Sequence, residues 1–237
     1  CVERPAGSGA AVEVMKEPDN PFLATVGLRV QPDPAGSGVR FQLGIEPGSL
    51  PVPFRKAVEE TARDTLRQGL RGWEVIDCTV TLTHSDYIPP QGKRGVSFDA
   101  SISTTAGDFR GLTPLVLVSA LQQAGTVVHE PVLRCQLEIP ADTLAPVLTA
   151  LGRLGAVPRA QHLRGPSCLL DGEIPAAQVH ELQQQLPALT RGEGTADCTF
   201  DHYRPVRGPV PVRACTDHNP LNRREYLLHV RRGGSGR

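Results

Sequence analysis

His84, Ser85 and Asp86 carry the side-chain types of a hydrolytic triad, and Tyr87, Ile88, Pro89, Pro90, Gln91, Gly92, Lys93 and Arg94 follow at once. A triad needs its nucleophile, base and orienting acid to converge on one reacting atom. Consecutive residues at the end of a strand point to opposite faces, so these three do not converge. Other catalytic signatures are also missing. No G-x-x-x-x-G-K-[ST] occurs, which excludes nucleotide binding by that loop; GSGVRF and GEGTAD hold glycines without it. His129, His162, His180, His202, His218 and His229 are scattered, with no i, i+4 pair beside a carboxylate to suggest zinc. His202, flanked by Asp201 and Tyr203 at a strand end, is expected to make a local hydrogen bond. The six cysteines include no CxxC, so metal-ligand spacing is absent. Cys135 shares a strand face with Leu137 and Ile139, and Cys198 with Phe200; the thiols read as small buried hydrophobes. No metal site is expected.

The chemistry that remains is binding. From Ser85 to Leu112 little regular structure is legible beyond a short strand at VSFDASI, and a loop this long is uncommon unless it is functional. Pro89 and Pro90 fix two consecutive φ angles. A stiff segment loses less entropy on docking. Tyr87 and Ile88 offer flat apolar surface, and Lys93 and Arg94 flank them with positive charge. This combination suits stacking on exposed bases with contacts to phosphates. The alternative is a surface excursion whose Tyr87 packs back on its own domain.

Charge is asymmetric behind a formal net of zero. From Arg204 to Arg237 eight arginines face only Asp217 and Glu225, a net of +6 with histidine neutral, which leaves −6 on the first 203 residues. A basic tail on an acidic body points to a polyanionic partner, or else to a solvated tail without fixed structure.

The elements that hold these residues are α+β. Aromatics are only 4% of the chain, so its cores are built from Leu, Val, Ile and Ala. No run approaches the ~20 apolar residues of a membrane helix, and no signal-peptide pattern opens the chain; a cytoplasmic protein is the expectation. Cys1 in place of Met suggests a piece of a longer chain. CVERPAGSGAAVEV reads as a frayed end with one short strand. NPFLATVGLRV, VRFQLGIE and WEVIDCTVTLT read as strands, and PVPFRKAVEETARDTLRQGLRG as a helix with Pro53 in its first turn. A second helix is expected to start with Thr113 as N-cap and Pro114 as first residue, and to end at Gly125. From about 130 to 205 the order is strand, helix, strand, strand, helix, strand, the ferredoxin-like split βαβ arrangement. Beyond Tyr203 the chain is proline-rich; NRREYLLHV fits one short helix or strand, and RRGGSGR reads as disordered.

Taken together, NPFLATVGLRV, GSGVRFQLGIEPGSL, GWEVIDCTVTLTHSDY, AGDFRGLTPLVLVSALQQAGTVVHEPVL, DGEIPA and FDHYRPV resemble the C-terminal half of the elongation factor G superfamily. Within it they are similar to the tetracycline-resistance ribosomal protection proteins of the oxytetracycline-resistance type. The resemblance covers about Asn20 to His229. It implies a fringe of a third domain at 1–19 and a fourth domain at 20–129, with a ribosomal-protein-S5-like fold and left-handed crossover. It also implies a ferredoxin-like fifth domain at 130–204 and a basic, partly disordered extension at 205–237. The GTPase domain of the family, with its GTP and Mg, would lie outside this chain, which itself would need no cofactor and catalyse nothing.

The resemblance also gives the loop a role, at the fourth domain's tip, which in protection proteins contacts small-subunit ribosomal RNA near the decoding centre and dislodges the drug. Tyr87 and Pro90 match the tyrosine and proline of the family's tyrosine-serine-proline-valine-serine loop, whereas Ile88 and Pro89 depart from it. Residues 101–110, SISTTAGDFR, resemble the end of the same family loop, so Ser101, Ile102 and Ser103 stand as a second candidate tip. Translocases of the superfamily typically carry histidine where Ile88 stands, so drug protection is favoured over translocation. The tail resembles the family's C-terminal extension, with Arg223, Arg224, Arg231 and Arg232 as phosphate contacts. The expected partner is the ribosome, with no DNA, no membrane and a monomeric protein. A standalone small-molecule enzyme is the reading from another class, and it would need a pocket of converging titratable groups.

Overall fold

The computed structural model describes residues 1–89, 103–216 and 218–234, with the side chains of 231–234 outside it. The expected strand at VSFDASI and the tip residues Pro90, Lys93, Arg94, Ser101 and Ile102 therefore lie outside the described residues. Two compact units divide the chain. One comprises Val2–Val128 together with Pro209–Arg237, and the other His129–Gly208 together with Cys1.

In the first unit a four-stranded sheet has the order β2 (Gly9–Glu13), β3 (Ala24–Pro32), β6 (Cys78–Tyr87), β4 (Val39–Leu43). The β2–β3 and β3–β6 pairs are antiparallel and β4–β6 is parallel. A parallel neighbour requires a crossover, and helix α1 (Val52–Thr65) supplies it. Strand β1 (Val2–Pro5) pairs in parallel with the short β5 (Glu74–Val75). The start of the chain thus contributes two strands, where a frayed fringe with one was expected. Its Glu3 is fully buried, and the carboxylate accepts the backbone N–H of Arg71 and Trp73 and the hydroxyl of Thr126. Strands β5 and β6, expected as one, are separated at Asp77, which adopts a positive φ of 54°.

Helix α2 (Ala106–Ala124) starts earlier than expected. Its N-cap is Thr105, in a capping box with Asp108, and Pro114 sits inside the helix rather than opening it. Proline removes one backbone hydrogen bond from a helix interior. The helix runs through because Phe109, Leu112, Leu117 and Leu121 are all buried around that point. Strand β2 lies close against its C-terminal half, where a Cβ on Gly9 would strike the Ala120 carbonyl oxygen and the Ala124 nitrogen.

The second unit runs β7 (Thr126–Pro140), α3 (Leu144–Arg153), β8 (Val157–Arg164), β9 (Ser167–Pro175), α4 (Val179–Leu189), β10 (Thr195–Pro205). Its strands pair antiparallel in the order β10, β7, β9, β8, which is the ferredoxin-like arrangement. Leu137, Ile139, Leu170 and Ile174 of the sheet bury against Val147 and Leu151 of α3 and Leu182 and Leu186 of α4. Cys135 and Cys198 stand directly opposite each other on β7 and β10, with Cα atoms 4.1 Å apart, and form a disulfide where separate buried thiols were expected. Only the pairing register brings them face to face. Cys78 and Cys168 are buried and unbonded, and burial pushes the Cys78 thiol up to about 12.

Two glycine substitutions test this packing. Gly9→Ala should destabilise the first unit by ~1–3 kcal/mol, since both colliding atoms are backbone. Gly152→Ala, in open space on α3, should instead stabilise the second by up to ~1 kcal/mol. Denaturant unfolding of each variant measures both.

Candidate functional site

Strand β6 runs four residues past the expected start of the loop, so His84–Tyr87 belong to it and pair with Gly27, Val26, Thr25 and Ala24 of β3. Alternation along the strand puts His84 and Asp86 on the face opposite to Ser85. The His84 ring is hydrogen-bonded to Thr83, and the Asp86 carboxylate accepts from the Tyr87 N–H. No triad forms.

At the end of β6 two chain segments meet. The Ile88 N–H donates to the Thr104 hydroxyl oxygen at 2.7 Å, and the Thr104 N–H donates to the Ile88 carbonyl at 3.0 Å. The Thr104 hydroxyl in turn donates to the Leu23 carbonyl. Leu23 is held from its other side, its N–H donating to Asp108 Oδ1 at 3.1 Å. The second Asp108 oxygen accepts from the Thr105 N–H and hydroxyl, at 2.8 and 2.7 Å. Below this junction three aromatic rings stack in series. Tyr87 meets Phe54 of α1 edge-on at 5.5 Å, and Phe54 stacks on Phe109 of α2 at 5.0 Å.

The predicted tip residues therefore separate. Tyr87 is half-buried and packs back on its own unit, which was the alternative expectation for it. Ile88 and Ser103 are half-buried beside the junction, and Pro89 is exposed.

The tail is docked against the first unit. The Trp73 indole donates to the Pro211 carbonyl at 2.9 Å, and the Arg213 N–H donates to the Arg71 carbonyl at 2.9 Å. The Arg213 guanidinium lies over the Trp73 ring at 5.9 Å. Thr216 and Gln68 exchange two hydrogen bonds. Gly72, with φ of 80°, leaves room for this pass; a Cβ there would strike the Arg213 carbonyl. NRREYLLHV resolves as a helix, α5 (Arg223–Gly234). Its Tyr226 is buried, and the hydroxyl donates to the Gly111 carbonyl of α2 at 3.0 Å. Burial pushes that phenol up to about 12.

The tail arginines divide as well. Arg223 grips both Glu13 carboxylate oxygens, at 2.5 and 2.9 Å, and the Asp19 carbonyl, so its guanidinium is engaged within the fold and its pKa is raised by that hydrogen bonding. Arg224 is exposed. The side chains of Arg231 and Arg232 lie outside the described residues. Among the described residues no three His, Cys, Asp or Glu side chains gather as a metal site, and no helix is long and apolar enough to cross a membrane. An open cavity of about 360 Å³ lies between α1, α2 and the tail, lined by Thr61, Thr65, Arg110, Cys215 and Tyr226 among others.

Sequence reasoning missed Thr104, Phe54, Glu13 and Tyr226. Thr105-x-x-Asp108 is a capping-box pattern and signals the true start of α2. The pairing of Arg223 with Glu13, 210 residues apart, leaves no such local trace.

The two units answer to two neighbouring domains of one protein family. Residues 2–125 match the family model for elongation factor G, domain IV, and residues 127–213 match that for the elongation factor G C-terminus. The chain belongs to the elongation factor G family. Among its relatives, the oxytetracycline resistance protein of Streptomyces rimosus is 43% identical over 235 residues, covering 97% of this chain and 34% of that protein. The tetracycline resistance protein TetM of Streptomyces lividans is 47% identical over 207 residues, covering 87% and 30%. The chain spans about a third of the length of the curated relatives it matches. A solved structure of a protein from Thermus thermophilus shares the fold with a TM-score of 0.71 at 21% identity, over 97% of this chain and 31% of that one.

Tyr226→Phe tests the docking of the tail. Loss of its hydrogen bond should cost about 1 kcal/mol. The native phenol ionises later than an exposed one, so its contribution is full below the ordinary tyrosine range near 10 and is lost as pH rises towards about 12. The variant should have a shallower alkaline fall in stability, measured by denaturant titration from pH 9 to 12.

Proposed function

We propose that this chain is the ribosome-binding C-terminal portion of a GTP-dependent ribosomal protection protein that displaces tetracycline from the small subunit. The observation that carries this reading is the identity of 43% and 47%, over nearly the whole chain and most of it respectively, with proteins named for oxytetracycline and tetracycline resistance. The parent protein works in the cytoplasm as a monomer. GTP and Mg bind in its N-terminal part and favour the ribosome-bound form, and hydrolysis permits release.

In this reading the residues after β6 enter the decoding region and contact ribosomal RNA. Tyr87, anchored on Phe54, ends the rigid stem. Ile88, Pro89 and Pro90 supply stiff apolar surface, with Ser101, Ile102 and Ser103 on the returning side. Lys93 and Arg94 neutralise phosphate, as do Arg224, Arg231 and Arg232 of the tail; each such contact releases counterions and makes binding salt-dependent. Arg223 serves by holding α5 to Glu13. The mechanism is steric and competitive, with no covalent step.

The test is release of labelled tetracycline from ribosomes by the full-length parent with GTP. The double variant Pro89→Gly, Pro90→Gly frees two φ angles and spares the Tyr87 packing. It should release drug more slowly by about tenfold or more, because ordering the segment on docking costs more, while ribosome-stimulated GTP hydrolysis stays intact. A parent that releases no drug but supports factor-dependent peptide synthesis would make the chain part of a translocase instead.

A further inference from the structure

We infer that Thr104 is a positioning residue, whose one hydroxyl sets where the two ends of the tip leave the fold. This rests on the proposed function for what the tip does, but the geometry stands apart from it. Thr104 is 6% exposed. Its hydroxyl oxygen accepts from the Ile88 N–H and its proton goes to the Leu23 carbonyl. Three segments distant in sequence are thereby tied at one atom: the end of β6, the turn before β3 and the residue preceding the α2 cap. The backbone of Thr104 closes the same ring through the Ile88 carbonyl. Pro89 and Ser103, which flank residues 90–102, are the direct neighbours of the tied pair.

The hydroxyl is not needed for the surrounding elements. The β3–β6 ladder pairs through its own backbone up to Tyr87. Helix α2 is capped by Thr105 and Asp108, not by Thr104. Tyr87 has its own seat on Phe54. Removing the hydroxyl leaves two backbone groups without this partner, the Ile88 donor and the Leu23 acceptor, both at the rim. The result is a local loosening of the stem rather than a loss of fold. A valine keeps the shape of threonine and lacks the hydroxyl. A serine keeps the hydroxyl and lacks the methyl.

The experiment compares Thr104→Val and Thr104→Ser in the full-length parent, reading drug release, ribosome-stimulated GTP hydrolysis and amide hydrogen exchange. T104V should raise exchange at Ile88 by about tenfold, in line with one lost hydrogen bond, and leave the β3–β6 ladder protected. It should slow tetracycline release by a similar factor with GTP hydrolysis unchanged. T104S should restore both readouts to within about threefold of the parent. Unchanged Ile88 exchange in T104V would overturn the tie itself. Unchanged release despite raised exchange would overturn its role in positioning. Joint loss of release and GTP hydrolysis, or a T104S as impaired as T104V, would make Thr104 a general structural residue and also overturn the inference. If the wild-type parent releases no drug, the proposed function falls, and with it the positioning role; Ile88 exchange still decides whether the tie exists.

Discussion

A helical stretch buried on every side has to be enclosed, and the middle of α2 is such a stretch. Residues Gly111 to Val118 are buried without interruption, more than two full turns with no solvent face. Much of the first unit can be understood as the means of covering it. Strands β2 and β3 lie under it and α1 lies beside it. Gly9 and Gly111 lack side chains where β2 and the Phe22 ring approach most closely. Tyr226 of α5 adds a further cover and reaches the Gly111 carbonyl. Burial of this kind contributes on the order of 25 cal/mol per Å² of apolar surface, so a cover is retained even when supplied by a chain segment far away in sequence.

That constraint also bears on the tail, which packs on the first unit. Its charge alone left open a polyanion-binding tail or a solvated one, and a run of like charge is usually solvated. What holds it is a handful of specific contacts invisible to composition: an indole to a carbonyl, a reciprocal amide–threonine pair, a bidentate guanidinium–carboxylate and one buried phenol. The acidic partner Glu13 sits on β2, in a stretch read as a frayed end. The start of the chain and its tail are thus ordered partly by each other.

The second unit was legible almost element by element. Its strands alternate, its helices follow Pro140 and Pro175, and its hairpin turns at Gly165 with φ of 60°. These are local signals, and local signals survive in sequence. The first unit was less legible where tertiary burial overrode local preference. Pro114 looks like a helix start and lies mid-helix, because the enclosure of α2 outweighs one missing hydrogen bond. Asp77 breaks what reads as a continuous strand. At the candidate site the strand was expected to end at Thr83, and whether Tyr87 projects or packs back was left open; β6 runs on to Tyr87, whose ring packs on Phe54. Which way it turns depends on Phe54 and Phe109, which only the packing of α1 against α2 brings near.

The same enclosure bears on how the chain is held where β6 ends and α2 begins. Helix α2 is fixed along its length by burial and at its first turn by the Thr105–Asp108 box, so the residue before the cap has little freedom. Strand β6 pairs with both β3 and β4 over Cys78–Leu82 and with β3 alone over His84–Tyr87. Two immobile elements that end side by side define the root of whatever joins them. Loop closure entropy rises only slowly with length, so residues can be inserted between such ends without disturbing the units below. At that root the buried Thr104 ties Ile88 to Leu23, and the half-buried Phe54 seats the Tyr87 ring.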